Sequence, residues 1–76
     1  EEVGLSTPSG IGIRNNQIFV TDYATGRLFA FAMDGSLLDY LDIAEPNALM
    51  GLTFDENGDL YVIDNAKREV LRISAL

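Results

Sequence analysis

The chain has 76 residues, 47% of them hydrophobic, and its twelve acidic and five basic side chains give a net charge of -7. A chain of this length buries only about 60% of the surface that its unfolded form exposes, and without Cys no disulfide can support it. The acidic balance and the scattered basic residues argue against binding to nucleic acid or to an anionic membrane surface, and no apolar run approaches the ~18 residues needed to span a bilayer.

The first half of the chain predicts short strands separated by turns. Residues 1–5 alternate apolar side chains with polar or small ones, which is compatible with an edge strand. Asn15-Asn16 and Asp34-Gly35 are typical of hairpin turns, because these residues tolerate a positive φ. The last predicted strand of this half also fits a helical turn. The strands are expected around Ile11–Ile13 and at Ile18–Asp22, Arg27–Met33 and Ser36–Ile43.

The second half repeats this pattern after a connection at Ala44–Leu49. Gly51–Asp55 matches Gly10–Arg14 at a spacing of 41 residues, and the spacing grows by one after the longer second turn, where Leu60–Asp64 matches Ile18–Asp22. A period in this range with about four short strands per unit is typical of β-propeller blades. Strands such as Leu60–Asp64 are apolar on both faces, as stacked blades require.

We therefore predict an all-β fold, a β-propeller fragment of two four-stranded antiparallel blades. The first blade is expected over residues 8–43. The second is expected over residues 50–76, where the copy stops before its outer strand. Residues 1–5 are expected to supply a strand to a neighbouring or closing blade.

The sequence resembles the NHL repeat, a β-propeller family. The first copy carries its pattern in Pro8–Ile13, Gln17–Asp22 and Arg27–Phe31, and the second copy is similar but has Glu69 where the family has Arg. This resemblance implies a ring of about six blades. Two blades cannot close a ring and would leave apolar faces and strand edges exposed. Further blades are thus expected as partners, in a longer chain or in a homo-oligomer of copies, of which three would give six blades.

Five polar residues near equivalent strand ends are candidates for a ligand-binding rim pocket. The alternative for the two aspartates is that each accepts hydrogen bonds from the turn that follows it, and their recurrence in both copies favours this role. The alternative for the arginine is a surface ion pair. The candidates are Asp22, Tyr23, Arg27, Asp64 and Asn65.

The sequence gives little support for catalysis or metal binding. Asp55–Asp59 superficially suggests calcium, but its Gly is fourth where the calcium loop has it sixth, and a hairpin turn explains the segment. Gluconolactonase-like propellers bind a metal through an Asn for which this chain has Ser9 and Met50, while Asn47 comes three residues too early. The chain has no His that could act as the base for a Ser nucleophile. We assign no catalytic residue, metal ligand or cofactor to the chain and leave calcium open for a complete propeller.

The expected function is a non-catalytic scaffold or interaction module whose rim loops bind a protein or a small ligand. The alternative is a fragment of a metal-dependent propeller hydrolase or lyase, lactonase-like or amidating-lyase-like, with its active site mostly on other blades. Whether the complete protein is an enzyme stays open, although this chain by itself favours the first function. Acidic propellers without Cys resemble secreted bacterial ones, which favours a secreted or periplasmic location.

Overall fold

The computed structural model describes residues 5–74, which form two antiparallel β-sheets. In each sheet the strands pair in chain order, four in the first sheet and three in the second. No helix occurs in this range, so the strand interpretation of Ser36–Ile43 is confirmed. The strands are β1 Pro8–Arg14, β2 Gln17–Asp22, β3 Arg27–Ala32, β4 Leu37–Asp42, β5 Leu49–Phe54, β6 Leu60–Asp64 and β7 Glu69–Ile73.

The predicted hairpin turns form as their residues require. Asn15 and Asn16 join β1 to β2 with φ values of 52° and 60°, the left-handed region that Asn tolerates and that a tight hairpin demands. Gly35 and Gly58 take φ values of 92° and 88° in the turns after β3 and β5. Turn chemistry thus sets the register of the hairpins.

The two sheets pack face to face, and their first strands, β1 and β5, lie against each other. Phe19 and Leu28 of the first sheet form one buried cluster with Leu49, Leu60 and Val62. A second buried cluster, Val20, Phe29 and Phe31, lies on the opposite face of the first sheet. The first sheet is therefore apolar on both faces, as its composition indicates for a strand pair covered from both sides.

The connection from β4 to β5 follows the rim of the first sheet. The N–H groups of Ile43 and Ala44 both donate to the carbonyl of Gly26, each at 3.1 Å. Asn47 has a φ of 67°, and its N–H donates to the carbonyl of Tyr23 at 2.8 Å. These backbone hydrogen bonds place β5 beside β1 and fix the second sheet on the first.

Parts of the predicted domain layout fall outside the described residues. Of the strand expected over residues 1–5 the structure describes Leu5 alone, which is not in a strand, and residues 1–4 lie outside the description. Residues 75–76 of the expected second blade do so too. Over residues 5–74 the second sheet has no counterpart of β4. Nothing in that range forms a helix long and apolar enough to cross a membrane.

Candidate functional site

Asp22, the last residue of β2, is fully buried, and both of its carboxylate oxygens accept hydrogen bonds. Oδ1 accepts from the N–H groups of Ser6 at 3.0 Å and Thr7 at 2.7 Å. Oδ2 accepts from the hydroxyl of Thr25 at 2.6 Å, in the turn that follows β2. The carboxylate therefore ties the segment before β1 to the turn after β2.

These donors also determine the ionisation of Asp22. Burial by itself raises the pKa of the carboxyl, but the Thr25 hydroxyl and the N–H groups of Ser6, Thr7 and Thr25 outweigh it, so the pKa lies below the usual 3.8. A carboxyl of this kind stays ionised at neutral pH and is poorly matched to proton transfer there. The hydrogen bonds of this carboxylate are those of a group that positions the segments on either side of it.

Asp64 occupies the equivalent place at the end of β6 and is also buried, with 2% exposure. Its Oδ1 accepts from the N–H of Lys67 in the following turn, at 3.0 Å. Within residues 5–74 no second donor is directed at this carboxylate. The turn-capping role expected for both aspartates is thus confirmed by their hydrogen bonds, and Asp64 is the less constrained of the two.

The other three candidates lie at the same rim. Tyr23 and Asn65 follow β2 and β6, and their N–H groups donate to the carbonyls of Thr7 and Ala48, each at 2.8 Å. The backbone of Arg27 pairs with that of Asp22 across β2 and β3, but the guanidinium points to Asp42 of β4. The rim therefore gathers the predicted residues in two equivalent groups, one per sheet, and their binding of a ligand stays a prediction.

Arg27 makes the surface ion pair that was its alternative role. Its Nε lies 2.8 Å from Oδ1 of Asp42, and its guanidinium carbon lies 4.5 Å from the ring centroid of Tyr40. The nearby carboxylate raises the pKa of Arg27 above its already high value. Arg27 is thus held towards β4 at the outer edge of the first sheet.

A hydroxyl network between the two sheets was not found from the sequence. The Ser9 hydroxyl lies 2.7 Å from the carbonyl oxygen of Met50 and 2.9 Å from that of Leu49. The buried Thr21 hydroxyl donates to the same Met50 oxygen at 2.7 Å. A polar Thr at a buried strand position was the one available signal, because the network joins side chains to a backbone 29 to 41 residues away in the sequence.

The segments that were compared with metal sites make other contacts in the structure. Over residues 5–74 no three His, Cys, Asp or Glu side chains come together as metal ligands. Ser9, which stands where gluconolactonase-like propellers have a metal-binding Asn, is engaged with the carbonyls of β5. The carboxylate of Asp55 accepts from the N–H groups of Asn57 at 2.9 Å and Asp59 at 3.0 Å, which confirms that this segment is a hairpin turn.

Two antiparallel sheets stacked face to face, with their first strands in contact and with equivalent rims, define the chain as a β-propeller fragment. A solved structure supports this class. The chain is similar to virginiamycin B lyase from Staphylococcus aureus, with a TM-score of 0.74 and 24% identity, over 90% of this chain and 24% of that chain. This chain thus spans about a quarter of that protein's length. No protein-family model and no curated protein matches the sequence.

Proposed function

We propose that the chain is a non-catalytic β-propeller scaffold, an interaction module that associates with further blades. Exposed apolar residues on the two outer faces of the stack carry this proposal. On the outer face of the first sheet Ile11 and Ile13 are 68% and 62% exposed, and on that of the second Val70 is 65% exposed. Contiguous apolar surface of this kind marks sites of association.

The rim is where such a scaffold would bind a protein or a small ligand. Tyr23 and Asn65 stand at the equivalent turns, whereas the guanidinium of Arg27 is paired with Asp42 towards β4. Asp22 acts there through its hold on the adjoining segments, since both of its oxygens are already occupied. The further blades come from a longer polypeptide or from copies of this chain, and three copies would give the six blades of an NHL-like ring.

The test is native mass spectrometry of the purified chain over a range of concentrations, together with binding of a dye that fluoresces on apolar surface. We expect association, and dye binding by any dissociated chain. The variant Ile11→Asp should reduce both. Met33→Asp, at an exposed turn outside the two faces, is the matched control and should change neither. A stable monomer that binds no dye would overturn the proposal.

A second candidate is a portion of a propeller lyase or hydrolase, which the similarity to virginiamycin B lyase favours at the level of fold. Its metal and catalytic residues would lie mostly on blades beyond this chain. The discriminating measurement is the thermal midpoint of the complete assembly with calcium and with a chelator. A rise with calcium would support this candidate, and equal midpoints would count against it.

A further inference from the structure

The first sheet presents one face to the second sheet, and the repeat places a matching face on the second sheet. Gly10, Thr21 and Leu28 belong to the face of the first sheet that is covered by β5 and β6. The equivalent residues of the second sheet are Gly51, Ile63 and Val70, and they lie uncovered. We call these three, with the strands that carry them, the Gly51 face.

Gly10 has a clear packing reason to be glycine. A Cβ built at Gly10 would lie 3.0 Å from the Cα of Gly51 and 3.1 Å from the N of Leu52. Both distances are tighter than nine in ten contacts of real Cβ atoms, so the absence of a side chain at Gly10 lets β5 lie this close to β1 without displacement of its backbone. The close contact of the first strands thus depends on this residue.

Gly51 stands at the same position of the second sheet, within an irregularity of the β5–β6 register between Leu49 and Leu52, but no such packing contact is made to it within the described chain. A Cβ built there would meet no atom within 4 Å. Gly51 is also absent from the residues with positive φ, so its backbone does not need glycine. Glycine weakens a strand and often marks a bulge or the close approach of another backbone. The residue is explained if the first strand of another blade packs on it as β5 packs on Gly10.

The complementary surface is present on the same chain. In the second sheet Leu52 and Phe54 point towards the first sheet and pack against the shared core. Their equivalents in the first sheet are Ile11 and Ile13, which are exposed on the outer side. This Ile11 face has the apolar residues, at the same strand positions, that the Gly51 face would receive. Both halves of one repeated interface therefore have exposed apolar residues on one molecule, although Val20, Phe29 and Phe31 beside Ile11 and Ile13 are buried, with Leu5 packed against them.

We propose that the Gly51 face of one chain docks the Ile11 face of a second copy, head to tail, with β1 of the second copy lying on Gly51. This inference rests on the proposed scaffold function and names its partner. The interface is heterologous, so successive copies continue in one direction and form a ring when the rotation between copies closes. It repeats the contact that already joins the two sheets of one chain.

The intermolecular contact differs from the internal one in its polar part. Ser9 and Thr21 bridge the internal contact through the carbonyl of Met50. The equivalents on the Gly51 face are Met50 and Ile63, which carry no hydroxyl. The docking of copies should therefore be mainly apolar and dependent on concentration, whereas the internal contact persists in the monomer.

The test is sedimentation or native mass spectrometry of the wild-type chain and of Gly51→Ala. The added methyl group enters open space in the monomer, so the thermal midpoint of the dissociated chain should not fall. It would lie against the docked strand, so association should weaken by about tenfold or more. Gly10→Ala is the matched variant at the internal contact and should lower the thermal midpoint itself.

A mixing experiment tests the head-to-tail arrangement. Gly51→Ala spoils one face and Ile11→Asp spoils the other, so each variant alone should be mainly monomeric at the lowest concentration at which the wild-type chain associates. Together they retain one intact pair of faces and should form a one-to-one dimer and nothing larger. Failure of the mixture to dimerise, or wild-type association of Gly51→Ala alone, would overturn the proposal.

The outcome also separates this inference from the scaffold function. A wild-type chain that is monomeric at every concentration, yet binds the apolar dye, would overturn docking between copies and leave association with other blades standing. A monomer that binds no dye would overturn both.

Discussion

The two sheets place equivalent residues in opposite environments. Leu28 of β3 is 3% exposed because the second sheet covers it, whereas Val70, its equivalent in β7, is 65% exposed. Both are apolar residues at the same strand position of one repeat. In a stack of sheets, the burial of a residue depends on whether a further sheet packs on its face. The residue type at a position indicates the kind of neighbour that the position suits.

The strand-end aspartates show a related difference in hydrogen bonding. Asp22 accepts from both segments that flank its sheet, while Asp64 accepts from the following turn alone among the described residues. The segment before β5 is held by a backbone bond from Asn47 to Tyr23 of the first sheet. The segment before the first strand is thus held by the Asp22 side chain in the first sheet and by the backbone of the neighbouring sheet in the second.

The largest predicted difference is between Leu28→Ala and Val70→Ala. Leu28→Ala removes a buried side chain from the cluster between the sheets and should lower the free energy of unfolding by about 3 kcal/mol. Val70→Ala removes an exposed one and should change it by less than about 0.5 kcal/mol in the monomer. Urea denaturation at low protein concentration measures both values. Equal losses would show that the Gly51 face is already covered under those conditions.

The next prediction concerns Asp22→Ala and Asp64→Ala. Asp22→Ala removes a carboxylate that accepts from three donors and should cost about 2–3 kcal/mol, since bonds to charged groups are the stronger ones. Asp64→Ala removes one such bond and should cost about 1 kcal/mol. Urea denaturation again compares them. Thr25→Ala is the control, because it removes one donor to Asp22 and should cost less than the loss of the carboxylate.

The sequence was sufficient for the features that depend on neighbours in the chain. Asn15-Asn16 predicts its own hairpin because positive φ is a local property, and the repeat predicts that Leu60–Asp64 pairs as Ile18–Asp22 does. The fold class followed from these local patterns.

The contacts within the candidate site were harder to predict, because they join distant segments. That Asp22 accepts from Ser6 and Thr7 depends on how the segment before β1 crosses the end of β2. That Ser9 reaches the carbonyl of Met50 depends on the distance between two sheets. Neither contact produces a repeated pattern in the sequence. The sequence therefore predicted which residues lie at the rim but not the groups that they bond.

A third prediction uses the pKa of Asp22. Its folded value is lowered, so its contribution to stability is complete above the usual 3.8 and is lost as the pH falls from there through the lowered value. Stability should therefore fall between pH 3.8 and the folded value more steeply for the wild-type chain than for Asp22→Asn, which cannot titrate there. Urea midpoints over an acid pH series measure this slope. Identical slopes would assign the acid sensitivity to other carboxyls.

The smallest expected effects are those of the two ion pairs, one in each sheet. Arg27 bonds Asp42 and also lies over the ring of Tyr40, whereas Arg72 bonds Asp59 and no other side chain of residues 5–74. Such pairs at the surface contribute little because water and salt screen them, but stacking on a ring adds a part that salt screens less. Arg27→Gln should thus lower the urea midpoint more than Arg72→Gln, and part of its loss should persist in high salt, where that of Arg72→Gln vanishes. If both losses vanish together, the ring contributes nothing and the two sheets differ only in what covers them.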